Sequence, residues 1–165
     1  MKDWKKSKQA FLERWPLEVV KNLTLDEYTN IERDDSFTYW MEKKTEDVVS
    51  MWGGSAYKFG VFRRDPNAEK KQLKNNQKSD GIYGWYSKYG ETINEAFDAV
   101  KKQIINLIEY SISGNLEKIE KVNLGNSYKW KIAFMYAKPG SIMRMVKKEA
   151  LQYLYNKHIS GPDKK

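Results

Sequence analysis

The stretch from Thr92 to Gly114 constrains the fold of this chain more than any other. Thr92-Ile-Asn-Glu95 is a capping box, in which each side chain can bond the other's backbone N–H, and Gly114 ends the helix it opens. Between them Ile93, Phe97, Val100, Ile104, Leu107, Ile108 and Ser111 recur on one helical face. Such a helix holds together only with its apolar stripe against a second layer, which the rest of the chain must supply.

Further helices are expected at both ends. Trp4, Phe11, Leu12 and Trp15 predict a helix over 3–15 that Pro16 ends, and Leu17, Val19, Val20 and Leu23 continue its apolar face. Thr24-Leu-Asp-Glu27 is a second capping box, opening a short helix to about Glu32. Asn115 caps another through Leu116 and Ile119, and Lys147 to Lys157 reads as helical through Ala150, Leu151 and Leu154.

Between the two helical regions the residues become aromatic, with glycines as punctuation. Phe37, Tyr39 and Met41 alternate with Thr38, Trp40 and Glu42, and Tyr57, Phe59 and Val61 alternate with Lys58, Gly60 and Phe62. Period two predicts strands at both places, and a third at Gly81 to Gly90. Residues 65–80 hold one large apolar residue, Leu73, and read as a loop or hairpin tip. Trp130 to Tyr136 fits either period, and Ile142 to Val146 reads as extended. The expectation is an α+β fold: a small antiparallel sheet from about residues 37–86, with a further strand near 142–146, packed with helices from both termini. Residues 1–158 form one domain, and 159–165 a polar tail or the start of a linker.

Composition narrows the chemistry. Of 165 residues none is cysteine, which excludes disulfides, Cys-ligated zinc and iron–sulfur clusters, and the lone His158 cannot supply a multi-histidine metal site. No apolar run approaches the roughly 20 residues of a membrane span, and Met1 to Gln9 lacks a signal peptide's apolar core, so a cytoplasmic protein is expected. There is no Walker A loop, no Gly-x-Gly-x-x-Gly and no Gly-x-Ser-x-Gly, and nothing calls for a cofactor. An enzyme would have to rest on carboxylates. Asp34, Asp35, Glu42 and Lys44 imitate the Asp plus Glu-x-Lys set of metal-dependent nucleases, but Glu42 lies only seven residues after Asp35.

Thirty Lys and Arg against 22 Asp and Glu leave a net charge of +8, unevenly placed. Residues 22–50 sum to −5, residues 63–78 to +4 and residues 144–165 to +4. Clustered positive charge favours a polyanion, because each neutralised phosphate releases condensed counterions. Six Trp, eleven Tyr and six Phe add flat faces on which bases stack. The expectation is a DNA-binding module rather than an enzyme. Lys58, Arg63, Arg64, Lys70 and Lys71 are assigned to phosphate, and a base-facing surface is drawn from Trp40, Trp52, Tyr57, Tyr83, Trp85 and Tyr86. The alternatives are a nuclease using Asp35, Glu42 and Lys44, and a module that docks a partner subunit through its aromatic surface.

Several strings carry a resemblance. Phe11-Leu-Glu-Arg-Trp-Pro-Leu17, Thr24-Leu-Asp-Glu-Tyr-Thr-Asn30, Asp35-Ser-Phe-Thr-Tyr-Trp40, Trp52-Gly-Gly-Ser-Ala-Tyr-Lys-Phe-Gly60 and Leu124-Gly-Asn-Ser-Tyr-Lys-Trp-Lys-Ile-Ala-Phe134 resemble the N-terminal region of bacterial McrB-like AAA+ proteins, over about residues 10–155. Those proteins are the GTP-hydrolysing subunits of modification-dependent restriction systems. The resemblance implies a DNA-recognition region, often one that flips out a methylated base, followed in the full-length protein by an AAA+ motor and served by a separate nuclease subunit. Ser160 to Lys165 would lead toward that motor.

Overall fold

The computed structural model describes residues 3–51, 53, 55–67 and 72–142. Its helices are α1 (Trp4–Arg14), α2 (Leu17–Lys21), α3 (Leu25–Tyr28), α4 (Phe37–Tyr39), α5 (Ile93–Ser113), α6 (Leu116–Glu120) and α7 (Asn126–Tyr136). Strands β1 (Val61–Arg63), β2 (Gln77–Ser79) and β3 (Tyr83–Tyr86) form an antiparallel sheet in the order β1-β3-β2. The fold is α+β. Among the described residues no helix is long and apolar enough to cross a membrane.

Helix α5 is the spine. Its capping box is formed, and Gly114 stops it with φ of 73°. Ala96, Phe97, Val100, Ile104, Leu107, Ile108 and Ser111 are buried along it, against α7, α2 and α6 on its length and the sheet near its start. Trp130 to Tyr136 lies within α7, so the helical period decides that stretch. Helix α7 is buried nearly all round, including Lys129 and Lys131, which blurs the apolar stripe that marks a helix in sequence.

Two segments expected to be strands are helical. Ser36 caps α4 by accepting the Tyr39 N–H at 3.3 Å, and α4 runs into a π-helical turn at Trp40–Lys44, closed by Thr45 N–H to the Trp40 carbonyl at 3.0 Å. Phe37, Thr38, Met41 and Thr45 are the buried members, which is helical spacing. Tyr39, which completes the period-two pattern, is exposed. The second correction concerns residues 56–59, which coil into a 3₁₀ turn, so the strand starts only at Val61. Conversely β2 lies inside the expected 65–80 loop. It is an edge strand of polar residues, Gln77, Lys78 and Ser79, half-buried on both faces, and so carries no apolar alternation. The expected strand at 142–146 and helix at 147–157 fall almost wholly outside the described residues.

Aromatic rings tie the layers together. Phe37 meets Phe11 at 5.7 Å, Trp15 at 5.4 Å and Tyr28 at 6.0 Å between ring centroids. The Tyr28 hydroxyl donates to the Phe59 carbonyl at 2.5 Å and lies 3.1 Å from the Tyr128 hydroxyl, so α3 and α7 together anchor the 3₁₀ turn. Lys131, 1 % exposed, donates from Nζ to the carbonyls of Met41 and of Thr45 and so closes the π turn from below.

Candidate nucleic-acid interface

The site is built by a chain reversal at Gly60. Ser55 opens the 3₁₀ turn by accepting the Tyr57 N–H at 3.3 Å, and Gly60, at φ of +80°, turns the chain into β1. A Cβ at Gly60 would stand 2.7 Å from Cγ2 of Val100, so both the conformation and the space require glycine. Because of this reversal Tyr57 does not line up with Phe59 and Val61. Its ring folds back onto Phe62, at 4.8 Å and 71°.

The sheet register decides which aromatics face outward. Val61 pairs with Trp85, Phe62 with Gly84 and Arg63 with Tyr83. Directly opposed residues share a face, so Val61 and Trp85 point to the core and Phe62 and Gly84 away from it. Tyr86 lies on the outer face with Gly84, and its ring meets that of Tyr57 at 5.0 Å. Gly84 leaves room for the Phe62 ring, whose Cζ would be 2.7 Å from a Cβ there. Tyr57, which is buried, and Phe62 stand outside the main core cluster, and with Tyr86, which packs against that cluster, they make an aromatic group on the outer face of the sheet.

Two cavities flank this group. The larger is a cleft of about 530 Å³ walled by Tyr57, Tyr86, Tyr89, Lys58 and Lys88, with Ser55, Asn76 and Ser87 as polar lining. The smaller is a pocket of about 270 Å³ bounded by Phe59, Phe62, Thr38 and Glu42 among others. Tyr57 belongs to one and Phe62 to the other, as do Lys58 and Glu42, whose ion pair closes at 2.5 Å. The two cavities thus lie on either side of a ring pair and an ion pair.

Burial sets the ionisation around the larger cleft. It pushes the Tyr57 hydroxyl up, against the opposing pull of Arg64, and the Tyr89 hydroxyl up to about 12. Burial also lowers Lys88, whose Nζ donates to Asn123 at 2.8 Å and lies 4.8 Å from the centroid of the Tyr89 ring. A cation over two aromatic rings beside a cleft suits an anion's approach, while the rings themselves offer stacking faces.

The residues expected from sequence divide. Tyr57 and Tyr86 are in the site. Trp85 is 4 % exposed and donates from Nε1 to the Gly90 carbonyl, so it is a core residue, and Tyr83 shares its face of the sheet. Trp40 is half-buried, packed edge-on to Phe11 with Lys44 over its ring. Lys58 is not a free phosphate contact, since its Nζ holds Glu42 and the carbonyls of Met51 at 2.8 Å and Gly53 at 2.9 Å. Arg63 is held by Glu32 at 2.9 Å, while among the described residues the Arg64 guanidinium reaches a neutral partner, Ser79 Oγ at 3.0 Å. Trp52, Lys70 and Lys71 lie outside the described residues. Phe62, Lys88 and Tyr89 are site residues that sequence reasoning missed, and the signal for Phe62 is the glycine opposite it.

The carboxylates are engaged one by one. Arg33 chelates Asp35 through Nε at 2.7 Å and Nη2 at 2.9 Å and reaches Asp26 through Nη1 at 2.8 Å, which holds both carboxyls below the usual range. Glu42 faces Lys58, and Lys44 lies over Trp40. Among the described residues no three acidic or histidine side chains are grouped so as to hold a metal ion. Comparison with protein-family models, curated proteins and solved structures gives no match to this chain.

Proposed function

We propose that this chain is a DNA-binding specificity module, the recognition region of an McrB-like restriction protein acting in the cytoplasm, and that it holds an unstacked, modified base at the Tyr57–Phe62–Tyr86 rings. The observation that carries this reading is the gathering of three rings from three segments on the outer face of the sheet, over a glycine, beside a cleft of about 530 Å³. That volume falls within the ordinary range of ligand sites, and a base turned out of a duplex needs a flat partner for its face. Arg64 and Lys88 supply phosphate contacts beside it, and Lys70 and Lys71, which lie outside the described residues, are assigned the same role from sequence. In the full-length protein, motor and nuclease subunits would act on DNA that this module selects.

Fluorescence anisotropy with methylated and unmethylated duplexes tests the reading. With about four phosphates contacted, affinity should fall about a hundredfold between 50 and 200 mM salt. No measurable binding to either duplex at low salt would overturn it. Gly84→Ala supplies the internal control, since it pushes the Phe62 ring aside without touching a charge. Affinity should drop by about 5- to 100-fold, the loss of one stacking contact, while the fold loses no more than about 2 kcal/mol by chemical denaturation.

A further inference from the structure

The smaller pocket is more polar than a core cavity should be. Thr29, Asn30, Ser36 and Thr38 line it and are 5, 9, 1 and 7 % exposed, beside Glu42. Burying that many polar side chains in one place is costly unless each is bonded. Part of their capacity is used. Thr29 Oγ1 accepts the Arg63 N–H at 3.1 Å, Asn30 Oδ1 accepts the Glu32 N–H at 2.8 Å, and Ser36 Oγ caps α4. Part is not. Among the described residues the Thr38 hydroxyl has no partner, and the Thr29 and Ser36 hydroxyls have no acceptor. Glu42 uses Oε1 for Lys58, which leaves Oε2 without a bond among the described residues.

We infer that this pocket reads the hydrogen-bonding edge of a nucleobase and favours one bearing an exocyclic amino group; the inference rests on the DNA-binding reading above. Its volume of about 270 Å³ has room for one heterocycle, and Phe59, Phe62 and Tyr39 supply apolar walls. An ionised carboxylate can only accept, so Glu42 Oε2 calls for a donor such as the amino group of cytosine or adenine. The hydroxyls of Thr29, Ser36 and Thr38 can donate to the ring nitrogen or carbonyl beside it. The π turn matters here. It carries Glu42 on the helical segment that begins at Phe37 and includes Thr38, and the Lys58 ammonium fixes which oxygen of Glu42 is left over.

Duplexes with a single extrahelical cytosine, uracil, adenine or hypoxanthine test this directly, because within each amino/oxo pair a carbonyl replaces the amino group and the neighbouring ring nitrogen changes from acceptor to N–H donor, which reverses the edge. The amino member of each pair should bind at least tenfold tighter. In Glu42→Gln the Lys58 ammonium keeps the amide oxygen and turns the NH₂ toward the pocket, so the preference should invert toward uracil and hypoxanthine. Should that variant fail to fold, Thr38→Val keeps the shape and the ion pair and should shrink the preference at least threefold. Equal affinity for all four bases with salt-dependent binding intact would overturn the pocket and leave the DNA-binding module standing. Absence of binding to every duplex at low salt would overturn both.

Discussion

Between about pH 10 and about pH 12 the folded state should lose most of its stability, because its buried phenols must stay protonated while those of the unfolded chain ionise. Tyr28 and Tyr128 are 0 % exposed and Tyr136 is 8 % exposed, and burial pushes all three hydroxyls far above the ordinary tyrosine value. For an acid whose folded value is raised, the native state binds more protons above the unfolded value, so stability falls as pH rises. A hydroxyl that stays protonated to pH 12 against an unfolded value near 10 costs about 2–3 kcal/mol. Tyr28 and Tyr136 alone therefore remove about 5 kcal/mol, comparable with the whole stability of a small domain.

Lys131 acts in the opposite sense over a lower range. Burial lowers its ammonium to about 8, so between pH 8 and the ordinary lysine value the unfolded chain binds more protons and stability rises with pH. A neutral amine still has two N–H groups for the Met41 and Thr45 carbonyls. Denaturant midpoints measured at half-unit steps should climb from pH 8, peak near about pH 10 and then collapse. Tyr136→Phe, which removes the bond from the hydroxyl to the Trp15 carbonyl at 2.6 Å, should flatten the alkaline limb by one proton. A midpoint that stays level to pH 12 would show that these hydroxyls reach water in the folded state.

Phe37→Ala should cost about 3–5 kcal/mol, enough to leave a large unfolded fraction at ambient temperature. Its ring meets Phe11, Trp15 and Tyr28, which belong to α1, the turn after it and α3, so no single neighbour can close the void. The same residue starts the helical segment that brings Thr38 and Glu42 to the smaller pocket. Guanidinium unfolding gives the energy, and Phe37→Leu, which refills most of the volume, should recover more than half of it. A loss below about 1 kcal/mol for the alanine variant would mean the cluster repacks.

Phe37 also shows where sequence reasoning reached its limit. Short apolar runs fit period two and helical spacing alike, and in 37–44 the deciding fact is that Tyr39 faces outward while Thr38 and Thr45 are buried. Nothing local reveals that; the Lys131 contact, which arrives from 86 to 90 residues away, favours the helical turn. Helices with capping boxes were legible because their signals lie within four residues, and α5 follows its expected stripe closely. The site was half legible. Tyr57 and Tyr86 could be picked for their aromaticity, but a reversal at one glycine exchanged Phe59 for Phe62 as the partner of Tyr57, and strand pairing sent Trp85 to the core. Lys58 is taken up by the Glu42 carboxylate and by two main-chain carbonyls, and carbonyl partners leave no mark in sequence.

That last point extends beyond one residue. Lys8, Lys58, Lys101, Lys129 and Lys131 each donate to main-chain carbonyls, and for Lys8, Lys101 and Lys131 those carbonyls lie 78 to 129 residues away along the chain. Such ammonium groups serve as fasteners between distant stretches of backbone. Lysine acylation, or a survey that trades lysines for neutral residues, would therefore report on assembly of the tertiary structure at these five positions and on long-range attraction only at others. Formal charge counts both kinds alike, and a designer who wishes to retune the attraction has a shorter roster of residues to work with than +8 suggests.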